Sequence, residues 1–154
     1  MSYSSAKNAQ SILPASIKNH ANLSRLLCAS AAMVLLQANN AYANPTGATV
    51  VSGDIHLSNP TANKLVVNQG SDKAIINWRD FNIAENEWTQ FVQPSSNSVA
   101  LNRVTGGNAS EIAGRLSANG KLMVVNPNGV FFGANSRVDV AGLTVSTADT
   151  TNAD

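Results

Sequence analysis

Disulfides, metal-ligand sets, nucleophile motifs and membrane-length apolar runs are all missing from this sequence. The one cysteine is Cys28, so the chain cannot close a disulfide on itself. Cys28 follows Leu27 at the front of an apolar run, whereas a lipidated cysteine follows such a run and a small residue, which excludes lipidation. The two histidines are His20 and His56, too few for a His-based metal set. No Gly-x-Ser-x-Gly occurs. The carboxylates stand singly, apart from Glu85 and Glu87, and glycosidases and lyases work with a pair across a cleft. That pair reads as a solvated strand edge. The longest apolar run, Leu26 to Ala38, has 13 residues, short of the roughly 20 that a membrane span needs. Glycine is absent before Gly47, so the early segment differs in kind from the rest.

That early segment carries Lys7, Lys18 and Arg25, no acidic residue, then the apolar run and Ala41-Tyr42-Ala43. A basic start, a short apolar core and a small-x-small site describe a secretory signal peptide. Residues 1–43 are therefore read as a leader cut between Ala43 and Asn44, with Ala41 the alternative cut. The basic start is longer than usual. The remainder of the chain, residues 44–154, holds seven Lys/Arg and nine Asp/Glu. A slightly acidic module has no basic face for nucleic acid, and its stability must come from packing and backbone hydrogen bonds.

Short apolar-alternating runs fill this part. Thr49–Ser52, Asp54–Leu57, Lys64–Gln69, Lys73–Trp78, Glu87–Val92 and Ser98–Val104 read as strands, separated by Gly-, Pro-, Asn- and Ser-bearing turns. The segment 110–116 is ambiguous. Asn108 with Glu111 three residues on resembles a capping box, but Gly114 weakens so short a helix, and the strand is preferred. A turn is expected at Asn119-Gly120. Asn126-Pro127-Asn128-Gly129 has Asn at i, Pro at i+1 and Gly at i+3 of a type I turn, with Asn126 accepting the Asn128 N–H. Beyond it Val138, Val140, Leu143 and Val145 point inwards, with a step of phase at Ala141-Gly142. The fold class is all-β.

Apolar residues recur 21 apart at Leu101, Leu122 and Leu143, and at Ile83, Val104 and Val125; Phe91 and Ile112 share the step. That is the length of one coil of a parallel β-helix. Trp78, Phe81, Trp88 and Phe91 cluster in sequence and read as a core plug or cap in preference to a sugar-stacking surface. Asn108-Ala109-Ser110 fits a glycosylation sequon.

The run Asp72–Ile83 resembles the start of the secretion domain of two-partner secretion exoproteins, the filamentous haemagglutinin-like adhesins, haemolysins and contact-dependent toxins of Gram-negative bacteria. Phe91-Val92-Gln93-Pro94, Ala100–Gly106, Asn126–Val130, Gly142–Thr147 and Thr151–Asp154 match further blocks, so the resemblance covers essentially all of 48–154. The family's Asn-Pro-Asn-Leu block is absent here. The resemblance implies a right-handed, single-stranded, pectin-lyase-like parallel β-helix with an N-terminal cap. It implies export by the general secretory machinery, then recognition in the periplasm by the periplasmic domains of a dedicated outer-membrane β-barrel transporter, and release to the cell surface or medium.

The resemblance makes the domain an address and a folding nucleus, with no enzymatic activity and no cofactor. Its secretion motif is Asn126, Pro127, Asn128 and Gly129, with Asn102 and Arg103 as a secondary motif. Host-cell glycans or receptors are partners under an alternative reading, a surface adhesin module; a β-helical polysaccharide-active enzyme is the third. The sequence stops inside a matching block with no cap in view, which reads as a fragment or a truncated frame.

Overall fold

After an antiparallel start, each strand from Lys64–Gln69 onwards pairs in parallel with one a coil away, so the chain winds. The computed structural model describes residues 44–148; the leader reading and the 151–154 block lie outside them. The strands are β1 (Thr49–Ser52), β2 (Ile55–Thr61), β3 (Lys64–Gln69), β4 (Lys73–Trp78), β5 (Trp88–Val92), β6 (Val99–Val104), β7 (Ser110–Ile112), β8 (Arg115–Val125), β9 (Val130–Phe132) and β10 (Arg137–Ser146). There is no helix among the described residues. Parallel pairing stacks them into a β-solenoid of about four turns.

The first face stacks β3, β5, the first half of β8 and the first half of β10. The second stacks β4, β6 and the second halves of β8 and β10. The third is slighter: a bridge at Ile83, then β7 and β9. The β10 register shifts between Val140 and Gly142, the phase step expected there.

Alternation decides what faces inwards. Along β3, Leu65, Val67 and Gln69 are buried and the residues between them are not. One interior column runs Leu65, Thr89, Leu116, Val138, and another Val67, Phe91, Ala118, Val140. On the second face Ile76, Asn102, Val124 and Val145 stack. Trp78 and Phe81 meet edge to face inside the first coil, centroids 5.8 Å apart. Trp78, Phe81 and Phe91 are thus core, but Trp88 stands on the outer side of the first face.

The first coil would expose its strand edges, and edges invite aggregation. β1 and β2 cover them, pairing antiparallel with β4 and β3. Gly53 makes the bend between them at φ +91°. A side chain there would also meet the Lys73 carbonyl, 2.7 Å from an added Cβ. β2 runs through Pro60 to Thr61; Pro is tolerated because β2 is an edge strand.

Two further expectations are corrected. Asn119-Gly120 is not a turn: β8 passes through it without a break, bending from the first face to the second. Gly120 is needed there because an added Cβ would lie 2.6 Å from Gln93 Oε1. The 21-residue step is not uniform. Leu143 does sit on Leu122, 21 residues back, but Leu122 sits on Ala100, 22 back, Trp88 on Lys64, 24 on, and Ile112 on Ile83, 29 on. Strand levels are fixed; the corners absorb the difference. The segment 110–116 is strand, not helix, split by a corner at Gly114.

Candidate functional site

The corner joining the second and third faces is built three coils high. On its first level the Trp78 carbonyl accepts from the Thr105 N–H at 2.8 Å and from Thr105 Oγ1 at 3.1 Å. Gly106 then lies so close to the Arg79 carbonyl that an added Cβ would fall 2.1 Å from its oxygen. Asn126, Pro127, Asn128 and Gly129 form the next level.

Asn126 is the keystone of that level. Its side chain is wholly buried. Its Nδ2 donates to the Asn108 carbonyl at 3.0 Å and to Ser110 Oγ at 3.0 Å, both on the coil beneath. Its Oδ1 accepts the Asn128 N–H at 2.9 Å, the local bond the sequence indicates. The Gly129 N–H closes the turn on the Asn126 carbonyl at 3.0 Å, and Gly129 leaves it at φ +104°, a region costly for other residues. The Asn126 N–H reaches upwards to the Ser146 carbonyl at 3.0 Å. Asn128 Nδ2 adds a bond to the Gly106 carbonyl at 3.1 Å. One asparagine thus ties three coils together.

What remains visible from outside is small. Pro127 and Asn128 are exposed and Gly129 is half-buried. Two residues on, Phe131 projects outwards and is 64% exposed. The sequence did not distinguish it, because β9 carries two adjacent phenylalanines and alternation could send either outwards. Phe132 is the one that continues the Ile83–Ile112 column. The corner therefore offers an exposed proline ring, an exposed amide and an aromatic face, a surface for recognition by shape and hydrogen bonding. No group of three or more His, Cys, Asp or Glu able to hold a metal exists among the described residues.

The other motif residues lie elsewhere. Asn102 is fully buried inside the second face. Its Oδ1 accepts from Trp78 Nε1 at 2.9 Å, and its Nδ2 donates to the carbonyls of Ala100 at 3.2 Å and Met123 at 3.4 Å. It is out of reach of a partner on the folded surface. Arg103 is mostly buried, level with Asn77 and Val125. Ala43 lies outside the described residues; Asn44 is buried and its Oδ1 accepts from Thr89 Oγ1 at 3.0 Å.

Glu85 and Glu87 do not share a strand. They lie in a turn, where Glu87 is buried and accepts the Ala84 N–H at 3.0 Å. The sequon is also absorbed by the architecture, since Ser110 is buried against Asn126.

Comparison with known proteins gives the same picture from outside. A family model described as the TPS secretion domain matches residues 41–154. Two heme/hemopexin-binding proteins of Haemophilus influenzae are each 46% identical, over 99 and 105 residues, or 64% and 68% of this chain. The chain spans only 11% and 12% of their length. The crystal structure of the HMW1 secretion domain from Haemophilus influenzae superposes with a TM-score of 0.68 at 38% identity, covering 71% of this chain and 29% of that one.

Proposed function

The chain belongs to the TPS secretion domain family, as the N-terminal secretion domain of a two-partner exoprotein, and on that premise we propose how it is read. The module is an address without enzymatic activity. A leader over residues 1–43 takes it into the periplasm. There a dedicated outer-membrane β-barrel transporter, through its periplasmic domains, engages the corner at Asn126–Gly129. The chain then emerges and coils, the capped first turns serving as the template for the later ones.

The observation that carries this reading is the division of labour at the corner. Asn126 and Gly129 are consumed by structure, while Pro127 and Asn128, with Phe131 beside them, face outwards. A preorganised, exposed turn loses little entropy on binding. The test is capture of the chain by the isolated periplasmic domains of the transporter. Pro127→Ala/Asn128→Ala should weaken capture at least tenfold while the fold survives. Capture unchanged by that pair would move the contact elsewhere.

The whole exoprotein's activity, whether adhesive or directed at heme or hemopexin as the relatives' names say of them, belongs to chain beyond this domain. The alternative of direct glycan binding by the module is not favoured. The one outward tryptophan, Trp88, has its ring flanked by Lys64 at 3.5 Å and Arg115 at 4.4 Å, one from each neighbouring strand, so neither ring face is open to a sugar.

A further inference from the structure

The same tryptophan sits in a column of cations that the secretion reading does not use. Parallel register sets Lys64, Trp88, Arg115 and Arg137 level with one another on four adjacent strands of the first face. At about 4.8 Å per strand the column is roughly 14 Å long. Trp88 Nε1 donates to Ser117 Oγ at 2.7 Å, which fixes the ring between Lys64 and Arg115. Cation–π attraction accounts for those two residues. It does not account for Arg137, which stands directly beside Arg115 on a parallel strand, where two like charges repel.

Among the described residues no salt bridge neutralises the column's three cations; the one found joins Arg79 and Asp80. Asp139 does stand two residues along β10 from Arg137, and Glu85 and Glu87 lie in the turn before Trp88. The strands of this face, with β2 beside them, carry a single carboxylate, Asp139, level with Ser117. A depression of about 490 Å³ opens alongside, lined in part by Gln90, Val92 and Asp139. Val92 is 42% exposed.

We propose that this column is a docking surface for an acidic protein segment. Carboxylates pair with the guanidinium groups of Arg115 and Arg137 in fork-to-fork geometry, relieving their repulsion. An extended segment places alternate side chains on one side, so acids at every second position meet the column while the residues between them turn to solvent. A carboxylated or sulfated polysaccharide offers the charge but has no open face of Trp88 to stack on. The surface lies on a different face from the Asn126–Gly129 corner and is independent of the transporter contact.

The experiment is titration of the purified chain with deca-glutamate at low ionic strength, followed by tryptophan emission. Trp78 is only 1% exposed, so the signal reports Trp88. Saturable binding is expected, abolished by raising the salt and weakened at least tenfold in Arg115→Gln/Arg137→Gln. Lys121→Gln, on the second face, should leave it unchanged. Arg137→Gln alone should unfold at the same urea concentration as the parent or a higher one. Absence of saturable binding, equal weakening by Lys121→Gln, tighter binding of a heparin fragment than of the peptide, or a marked stability loss in Arg137→Gln would each overturn the proposal.

Discussion

Asn126 Nδ2 lies 3.0 Å from the carbonyl oxygen of Asn108, one coil below. The turn that holds Asn126 is therefore bolted to its neighbour as well as closed on itself. Replacing Asn126 by Ala leaves the buried Ser110 Oγ without its bond, at about 1–3 kcal/mol, and breaks the part-buried bonds to the Asn108 carbonyl and the Asn128 N–H as well. Asn128→Ala loses two bonds of one exposed amide, to the Gly106 carbonyl and, at 3.3 Å, to Asn126 Oδ1, and should cost about 1 kcal/mol. Gly129→Val places a β-branched residue at positive φ and should cost about 1–2 kcal/mol. Urea unfolding of the three variants should rank Asn126→Ala as the most damaging. A smaller loss for Asn126→Ala than for Asn128→Ala would contradict the inter-coil role.

The Trp78–Asn102 hydrogen bond gives a second expectation. Asn102→Leu keeps the volume but leaves the indole N–H buried without a partner, a loss of about 1–3 kcal/mol. Adding Trp78→Phe removes the orphan. A double-mutant cycle by urea unfolding should then return a coupling energy of about 1 kcal/mol or more. Coupling near zero would mean that the bond does not contribute.

Close approach at the corners gives a third. An added Cβ at Gly106 meets the Arg79 carbonyl, and one at Gly114 meets the carbonyls of Ala84 and Glu87; at Gly107 it meets nothing within 4 Å. Alanine at either of the first two should cost about 1–3 kcal/mol through overpacking. Gly107→Ala should be within about 0.5 kcal/mol of the parent. Thermal melts of the three variants decide this, and equal melting temperatures would refute the corner packing.

The fourth concerns export. Small-x-small at Ala41 and Ala43 predicts a mature start at Asn44, whose side chain is bonded to Thr89 inside the first coils. N-terminal sequencing of the periplasmic or secreted product should begin at Asn44. A product retaining Lys18 and Arg25 would exclude a cleaved leader.

Much of this was legible because alternation of apolar and polar residues is a local property. Lys64–Gln69, Lys73–Trp78 and Ser98–Val104 sit where their patterns put them, give or take a residue, and the phase step after Val140 is real. The Asn126–Asn128 bond was legible for the same reason, being an interaction two residues long. What the sequence hid is register. The column Lys64, Trp88, Arg115, Arg137 depends on coil lengths of unequal size, set by how much chain each corner holds. A fixed step of 21 therefore aligns Val104 with Ile83, which lie on different faces. Burial of Asn102 was equally hidden, because its partner, Trp78, is 24 residues away.

The claim on which the account rests is that the exposed half of the Asn126–Gly129 corner is read during secretion, beyond its part in the fold. Secreted yield, plotted against unfolding free energy for Asn126→Ala, Asn128→Ala, Gly129→Val and the interior control Asn102→Leu, measures this directly. Asn128→Ala should fall well below the line set by Asn102→Leu, losing most secretion for about 1 kcal/mol of stability. If all four variants lie on one curve, with yield following stability alone, the corner is architectural and the transporter reads another surface.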